Sequence, residues 1–219
     1  MNKSRISPQK IILIFTGLLF GFFLLLPMVT ILCKSFYKDG NATLEFYGNL
    51  FAGGSILKAF GNSVLVSSLS GIITTVLAFI PAYAINYTNI NRKLKKVIST
   101  LVMLPMLLPT ITYGFAIIYS FGKQGLITKL LGRQLVDIYG VAGLIIGYVI
   151  YTLPISFMLI NNTMKYIDKK FMVVSRLMGD NKRKCFFSTV LTPIAGTLAV
   201  AFIQSFTLSF TDYGIPAAL

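Results

Sequence analysis

Five long apolar segments, each long enough to cross a lipid bilayer as a helix, constrain the fold of this chain more than any other feature. A helical span needs about 20 mainly apolar residues, because about 30 Å of hydrocarbon is crossed at 1.5 Å per residue. The segments cover residues 11–33, 62–85, 97–121, 139–160 and 193–210. They are too long for membrane strands, and helices satisfy their own backbone hydrogen bonds in lipid. The sequence therefore predicts an all-α integral membrane protein, a bundle of about five spans whose internal prolines introduce kinks.

The composition indicates a membrane protein and includes few residues of the types that usually carry out catalysis. Hydrophobic residues make up 55% of the chain and charged residues 12%, whereas an average soluble domain has about 25% charged residues. The chain has no histidine, six acidic residues and two cysteines, Cys33 and Cys185, which lie far apart in the sequence. It also lacks the glycine-rich loop with lysine that binds ATP phosphates. We therefore expect no catalytic residues, no metal site and no cofactor in this chain.

The net charge of +14 is distributed unevenly between successive loops. Fourteen of the 20 lysines and arginines lie in the N-terminal segment and in residues 87–96 and 161–192, and the other six lie in residues 34–61 and 122–138. Because loops rich in Lys and Arg stay in the cytoplasm, this asymmetry predicts a cytoplasmic N-terminus and a cytoplasmic loop at 161–192. A nucleic-acid-binding surface would not alternate between loops in this way, so we expect no nucleic-acid partner.

The loop at residues 161–192 is the most informative segment, because a loop of this length is usually functional. Asp168 is positioned to cap a short helix over 169–178, and Gly179 is suited to end it in a left-handed conformation. Asp180 then opens a second helical run over 181–191. From the residues alone, two interpretations remain. The loop is either a docking element for a cytoplasmic partner or an interfacial hairpin whose basic residues lie against anionic lipid headgroups.

This loop resembles the conserved cytoplasmic loop of the permeases of binding-protein-dependent ABC importers, the MetI-like family. The family pattern is E-A-A, three residues, glycine, nine residues and then I-x-L-P. Gly179 matches the glycine, residues 180–188 match the spacer and Leu191 matches the leucine. The chain departs from the pattern in having Val173-Val174-Ser175 in place of E-A-A, Thr189 in place of Ile, and a proline displaced by one residue to Pro193.

Further segments between residue 60 and residue 219 are similar to the same family. The matching motifs are Asn62-Ser63-Val64-Leu65, Pro81-Ala82-Tyr83-Ala84, Leu104-Pro105 with Pro109, and Phe121-Gly122-Lys123-Gln124-Gly125. Within the family, the segment from Ser205 to Pro216 is most similar to permeases for iron(III), thiamine, polyamines or phosphonates. The resemblance implies that residues 61–219 form the permease domain and that residues 1–60 supply an additional N-terminal helix and an external loop.

The resemblance also implies a function and a set of partners. In such importers two permease subunits pair in a bacterial inner membrane, cytoplasmic ATPases dock on their loops, and a separate solute-binding protein delivers the substrate from outside. By this analogy the contact with the ATPase falls on Phe171, Val174, Ser175, Met178, Gly179 and Asp180. Because the family's glutamate is absent, we expect an apolar contact through Phe171 and Val174 to compensate. Family permeases typically have six spans, so the resemblance also suggests that a sixth span is missing.

The fifth span carries the most polar residues of any span and is the candidate for a translocation path. Gln204, Thr207 and Thr211 lie at positions i, i+3 and i+7, and Asp212 follows at the outer rim. Polar groups in a membrane face the bundle interior or an aqueous cavity, so these residues either line a path or make ordinary hydrogen bonds between helices. The alternatives to an ATP-driven permease are a self-contained secondary carrier and a membrane-anchored lipid-binding or structural protein.

Overall fold

The computed structural model describes residues 8–38, 40–134 and 136–219. Within these residues the chain is almost entirely helical. The α-helices are α1 (Pro8–Phe20), α2 (Leu26–Ser35), α3 (Glu45–Ala52), α4 (Ser55–Tyr87), α5 (Arg92–Met103), α6 (Thr110–Phe121), α7 (Leu126–Leu131), α8 (Val141–Tyr166), α9 (Lys170–Leu177), α10 (Lys182–Phe186), α11 (Thr192–Thr211) and α12 (Gly214–Ala218). The predicted helical membrane fold is confirmed.

Among the described residues, four helical segments are long and apolar enough to cross a membrane: Pro8–Ser35, Ser55–Tyr87, Val141–Tyr166 and Lys182–Thr211. The remaining predicted span, residues 97–121, differs from the expected kinked helix. It is a pair of helical segments, Arg92–Leu107 and Thr110–Leu131, that meet at an angle of 108°. The break occurs because Leu108 and Pro109 are both extended, with ψ near 142° and 149°. Proline disfavours helical geometry in the residue before it. The spans number five if the bent pair counts as one.

The contacts divide the chain into two units, Met1–Phe60 and Gly61–Leu219. In the described part of the first unit, α1 and α2 form one long helix with a short hairpin after it. The hairpin pairs strand β1 (Tyr37–Lys38) with strand β2 (Asn41–Ala42) in antiparallel register. An ion pair of 2.6 Å between Lys38 Nζ and Glu45 Oε1 fastens this hairpin to the start of α3.

In the part of the chain that the structure describes, two π-helical turns interrupt the spans, and each is followed two residues later by a proline. The turns are Gly21–Leu25, before Pro27, and Phe187–Leu191, before Pro193. A proline inside a helix removes one backbone donor and crowds the carbonyl four residues earlier. A wider π turn relieves that crowding while the helix continues. The backbone N–H of Thr192 accordingly bonds to the carbonyl of Phe187, five residues earlier.

Buried polar pairs connect the helices of the second unit. Thr74 Oγ1 lies 2.9 Å from Thr152 Oγ1, and Asn86 Nδ2 donates to Asn161 Oδ1 at 2.8 Å, so α4 is joined to α8 twice. Ser156 Oγ lies 2.7 Å from Ser205 Oγ and joins α8 to α11. Such bonds contribute on average about 0.6 kcal/mol each in membrane proteins, so they select helix partners and orientation more than they add stability.

The short helix α12 packs into the bundle through Ile215, which is fully buried. Two glycines make room for it. A Cβ atom on Gly114 would lie 2.4 Å from the Cβ of Ala218, and one on Gly147 would lie 2.9 Å from Cγ2 of Ile215. Gly143 and Gly147 form a G-x-x-x-G pattern, and this close approach is what such patterns allow.

Candidate functional site

The segment between α8 and α10 folds as the predicted short helix followed by a glycine turn. Asp168 Oδ1 accepts a hydrogen bond of 2.9 Å from the backbone N–H of Lys170 and so caps α9. The helix ends at Leu177, and Gly179, two residues later, has φ +84°. The N–H of Gly179 bonds to the carbonyl of Arg176, and the N–H of Asp180 bonds to the carbonyl of Ser175. This hydrogen-bond pattern is a Schellman motif, which requires a left-handed residue at the glycine position.

The second helix of the segment differs from the prediction in two ways. Its cap is Asn181, whose Oδ1 accepts from the N–H of Lys184 at 2.9 Å, and not Asp180. It also does not end at residue 191. Instead α10, the second π-helical turn and α11 form one helical segment, Lys182–Thr211. The glycine turn is therefore connected directly to a membrane span, without a flexible joint.

Asp180 is held in place from two sides. Ser175 Oγ donates to Asp180 Oδ2 at 2.8 Å, and Lys184 Nζ lies 2.6 Å from Asp180 Oδ1. These contacts, with the hydrogen bond from Lys184 the larger cause, hold the pKa of the Asp180 carboxyl below its ordinary value. The side chain thus remains an anion that joins the end of α9 to the start of α10.

Five of the six residues predicted to contact an ATPase line one groove, of about 560 Å³. They are Phe171, Val174, Ser175, Met178 and Asp180. The sixth, Gly179, lies at the turn beside the groove and does not line it. Phe171, Val174 and Met178 are 65%, 51% and 80% exposed, so their apolar surface is available to a partner. The groove wall opposite α9 includes Ser188, Thr189 and Pro193 of the continuous helical segment.

An aromatic cluster anchors α10 to the C-terminal end of α4. The ring of Phe186 lies 5.5 Å from the ring of Tyr83 and 6.2 Å from that of Phe79, both edge to face. Tyr83 in turn stacks on Tyr87 at 5.3 Å. Edge-to-face and offset aromatic pairs are the favourable arrangements. The segment that follows the glycine turn is therefore in contact with α4 and continuous with α11.

The structure separates the four residues predicted to line a translocation path. Gln204 is half-buried, whereas Thr207 and Thr211 are exposed on the surface of α11. The hydroxyls of both threonines donate to carbonyls of their own helix, at Ile203 and Thr207. Asp212 lies past the end of α11, where its Oδ2 accepts from the N–H of Ile215. Asp212 also lines a cavity that, among the described residues, none of the other three lines.

Comparison with known proteins places residues 74–219 in a single family, described as binding-protein-dependent transport system inner membrane component. The chain belongs to this family. The resemblance inferred from the loop and from the motifs between residues 60 and 219 is thereby confirmed. The match covers the second unit from the middle of α4 onward, and so includes the glycine turn and the groove.

Individual relatives are permeases of several transport systems. The chain is 26% identical over 207 residues to the ferric transport system permease protein FbpB of Actinobacillus pleuropneumoniae, covering 92% of this chain and 30% of the relative. It is 25% identical over 157 residues to the probable sulfate transport system permease protein cysT of Helicosporidium sp. subsp. Simulium jonesii, covering 71% and 57%. The chain thus spans about a third of the ferric relative and little more than half of the sulfate relative.

A solved structure of an ABC transporter contains a chain with the same fold. The crystal structure of a bacterial ABC transporter involved in the import of the acidic polysaccharide alginate superimposes with a TM-score of 0.73 at 17% sequence identity. The superposition covers 91% of this chain and 72% of that chain. The MetI-like permease fold predicted from the sequence is confirmed.

Several residues that organise this permease fold were not singled out from the sequence. They are the buried polar pairs Thr74–Thr152, Asn86–Asn161 and Ser156–Ser205. Each pair joins residues at least 49 positions apart, so no local pattern identifies the partners. The one available signal is that each polar residue interrupts an otherwise apolar helix, which marks a buried position in a membrane bundle but not its partner.

Proposed function

We propose that this chain is the membrane-spanning permease subunit of an ATP-driven solute importer and that a cytoplasmic ATPase docks in the groove along α9. The observation that carries this proposal is the convergence of five residues, chosen for their position in a family motif, on one exposed apolar groove. Membership of the binding-protein-dependent transport family supports the same function.

The chemistry of the groove suits a protein partner. Burial of exposed apolar surface is worth about 25 cal/mol per Å², and Phe171 and Met178 offer large, exposed side chains at the two ends of α9. Asp168 and Asp180 line the same groove and supply polar contacts at its edge. An apolar centre with a polar rim is the usual organisation of a protein interface.

The contacts around the groove provide a route by which movement of the ATPase would reach the membrane spans. Closure of the ATPase would move α9 and the Schellman turn, and Asp180 passes that displacement to Lys184 on the continuous segment Lys182–Thr211. The Phe186 cluster passes it to α4. Alternating access then follows from a rigid-body tilt of two spans, which is the hinge or shear type of transition.

The remaining partners follow from the same proposal. A second permease subunit pairs with this one in the bacterial inner membrane, with the N-terminus and the groove in the cytoplasm. The exposed stripe of Thr207 and Thr211, continued by Gln204, faces that subunit and lines part of the translocation path. A solute-binding protein delivers the substrate on the opposite side of the membrane.

Two adjacent residues provide a matched test. Met178 is 80% exposed and lines the groove, whereas Leu177 is 82% exposed and does not. We expect M178E to reduce co-purification of the ATPase, and ATP hydrolysis by the resulting complex, at least tenfold, since a buried unpaired charge is costly. L177E should leave both close to the unmodified level.

Transport by the purified chain without an ATPase would instead favour a secondary carrier. Binding of the chain to anionic vesicles through the loop, without any ATPase contact, would favour a lipid-binding protein.

A further inference from the structure

A second cavity, of about 350 Å³, lies at the end of the second unit opposite the groove, among α4, α8, α11 and α12. Its polar lining consists of Asn62, Ser63, Ser67, Tyr148, Ser209 and Asp212. A cavity of this size falls at the lower end of the range for small-molecule sites, about 300–1,000 Å³. We propose that it binds a small organic ligand that carries a protonated amine, with Asp212 and Ser209 as its main polar contacts.

Ser209 supplies the observation that points to a ligand. Its side chain is 2% exposed, and its Oγ has no hydrogen-bond partner among the described residues. A buried hydroxyl without a partner costs about 1–3 kcal/mol, and most hydroxyls in membrane helices avoid this by bonding to their own helix, as Thr207 and Thr211 do. Because Ser209 lines the cavity, we assign its missing hydrogen-bond partner to a ligand bound there.

Asp212 supplies the charge. Its Oδ2 accepts from the N–H of Ile215 at 2.9 Å and caps α12, which fixes the carboxylate at the wall of the cavity. No hydrogen bond within the described chain engages its Oδ1, and Asp212 takes part in neither of the two ion pairs found there. An unneutralised carboxylate beside a cavity attracts a cation and repels an anion.

The lining as a whole selects the class of ligand. The cavity has one carboxylate and neither lysine nor arginine in its lining. An oxyanion would therefore meet a negative charge and no positive one. The described residues also contain no group of three or more His, Cys, Asp or Glu side chains that could hold a metal ion. Hydroxyl, amide and carboxylate oxygens accept hydrogen bonds from an ammonium group, and Val66, Leu144 and Pro216 provide apolar surface for its carbon chain.

The position of the cavity gives this site a role in import, and that role rests on the proposed function. If the groove is cytoplasmic, the opposite end of the segment Lys182–Thr211 faces the side from which substrate arrives. The cavity would then be a receiving site within the membrane subunit, joined to the groove through the same helical segment. Binding itself needs no ATPase, so the two proposals can fail independently.

The test measures binding of n-butylammonium to the full chain in lipid nanodiscs by calorimetry, with tetramethylammonium and sulfate as comparison probes. We expect n-butylammonium to bind, tetramethylammonium to bind more weakly because it has no N–H donor, and sulfate not to bind. D212N retains an acceptor for the N–H of Ile215 but lacks the charge, and should weaken n-butylammonium binding about 10- to 100-fold. D137N is the matched control, since the carboxylate of Asp137 also accepts from a backbone N–H, that of Tyr139, and Asp137 does not line the cavity.

Serine variants separate binding from folding. S209A should weaken n-butylammonium binding several-fold while leaving the unfolding temperature unchanged or higher, because it removes an unpaired hydroxyl. S70A removes another buried, unpaired hydroxyl, one that does not line the cavity, and should leave binding unchanged. Tighter binding of sulfate than of n-butylammonium, equal binding by D212N and the unmodified chain, or no binding of any probe would each overturn the proposal. None of these results would bear on docking of an ATPase.

Discussion

Asp180 stabilises the turn at Gly179 through contacts with two neighbouring side chains. In a Schellman motif the residue after the glycine usually makes an apolar contact with the helix it follows. Here that contact is replaced by a hydrogen bond from Ser175 and an ion pair with Lys184. Because these contacts lower the pKa of Asp180, their stabilisation is fully present above its ordinary value of about 3.9 and is lost as the pH falls through the lower folded value. The turn is therefore insensitive to pH throughout the neutral range.

Gly179 is the residue whose replacement should affect coupling most directly. Its φ of +84° strains any side chain, although a Cβ atom there would meet no other atom within 4 Å. We expect G179V to cost about 1–3 kcal/mol of turn stability and to abolish ATP-dependent uptake while the chain still inserts in the membrane. G179N should retain more uptake, because Asn tolerates the left-handed region.

A second glycine provides the control for that measurement. Gly196 lies within α11, and a Cβ atom there also meets nothing within 4 Å, but its φ is not positive. G196A should leave uptake unchanged, since alanine is favoured over glycine inside a helix. Equal uptake by G179V and G196A would contradict a role for the left-handed turn.

At the scale of elements, α12 can dock in the bundle because two residues that face it, Gly114 and Gly147, have no side chain. Since a Cβ atom on Gly114 would lie 2.4 Å from the Cβ of Ala218, G114A forces the short helix to shift. We expect a loss of about 1–3 kcal/mol in the free energy of unfolding, measured by denaturation in detergent micelles. A218G should restore stability in the G114A background by removing the clashing methyl. G61A, at a glycine in open space within α4, should have little effect.

Element boundaries were partly predictable from the sequence. The five apolar segments identify the spans because the length of a membrane helix is set by the bilayer. The cap by Asp168 and the stop at Gly179 were predictable because both depend on local chemistry. The 108° break at Leu108 and Pro109 was predicted only as a kink. A proline signals lost helical hydrogen bonds, but the resulting angle depends on what α5 and α6 pack against. The continuity of α10 with α11 was missed because a π-helical turn has no sequence signature strong enough to identify it.

At the scale of the whole molecule, the proposed function depends on surfaces that this chain would present to other proteins. The sequence indicated the groove residues because the family motif is local. It did not indicate which polar residues meet between helices, since Ser156 and Ser205 are paired only by the tertiary fold. For the same reason it did not indicate that Asp212 lines a cavity that Gln204, Thr207 and Thr211 do not line. Helical spacing specifies the face on which Thr207 and Thr211 lie, but not what that face meets.

The exposed face of α11 can be tested in the assembled transporter. In a chain whose native Cys33 and Cys185 are replaced by serine and alanine, we expect T207C to react with a membrane-impermeant thiol reagent at least tenfold faster than I72C. Both positions are exposed in the single chain, but Ile72 lies on the apolar surface of α4 and would face lipid. Thiolates form and react only where water reaches the sulfur. Equal labelling of the two variants would place Thr207 in contact with lipid and away from a water-filled path.

The π-helical turn Phe187–Leu191 has a consequence for how the chain tolerates insertions and deletions. A π turn is what a single inserted residue becomes when a helix absorbs it. The turn lies at the point where the proline of the loop motif is displaced by one residue, to Pro193. Deletion of Thr192 should therefore convert the turn to regular α-helix and leave Ser205 facing Ser156. Ala195, only three residues later, lies in regular α-helix, which has no extra residue to lose. Its deletion should rotate the rest of the span by about 100°. We expect the resulting loss of folding in detergent to be visible by size-exclusion chromatography.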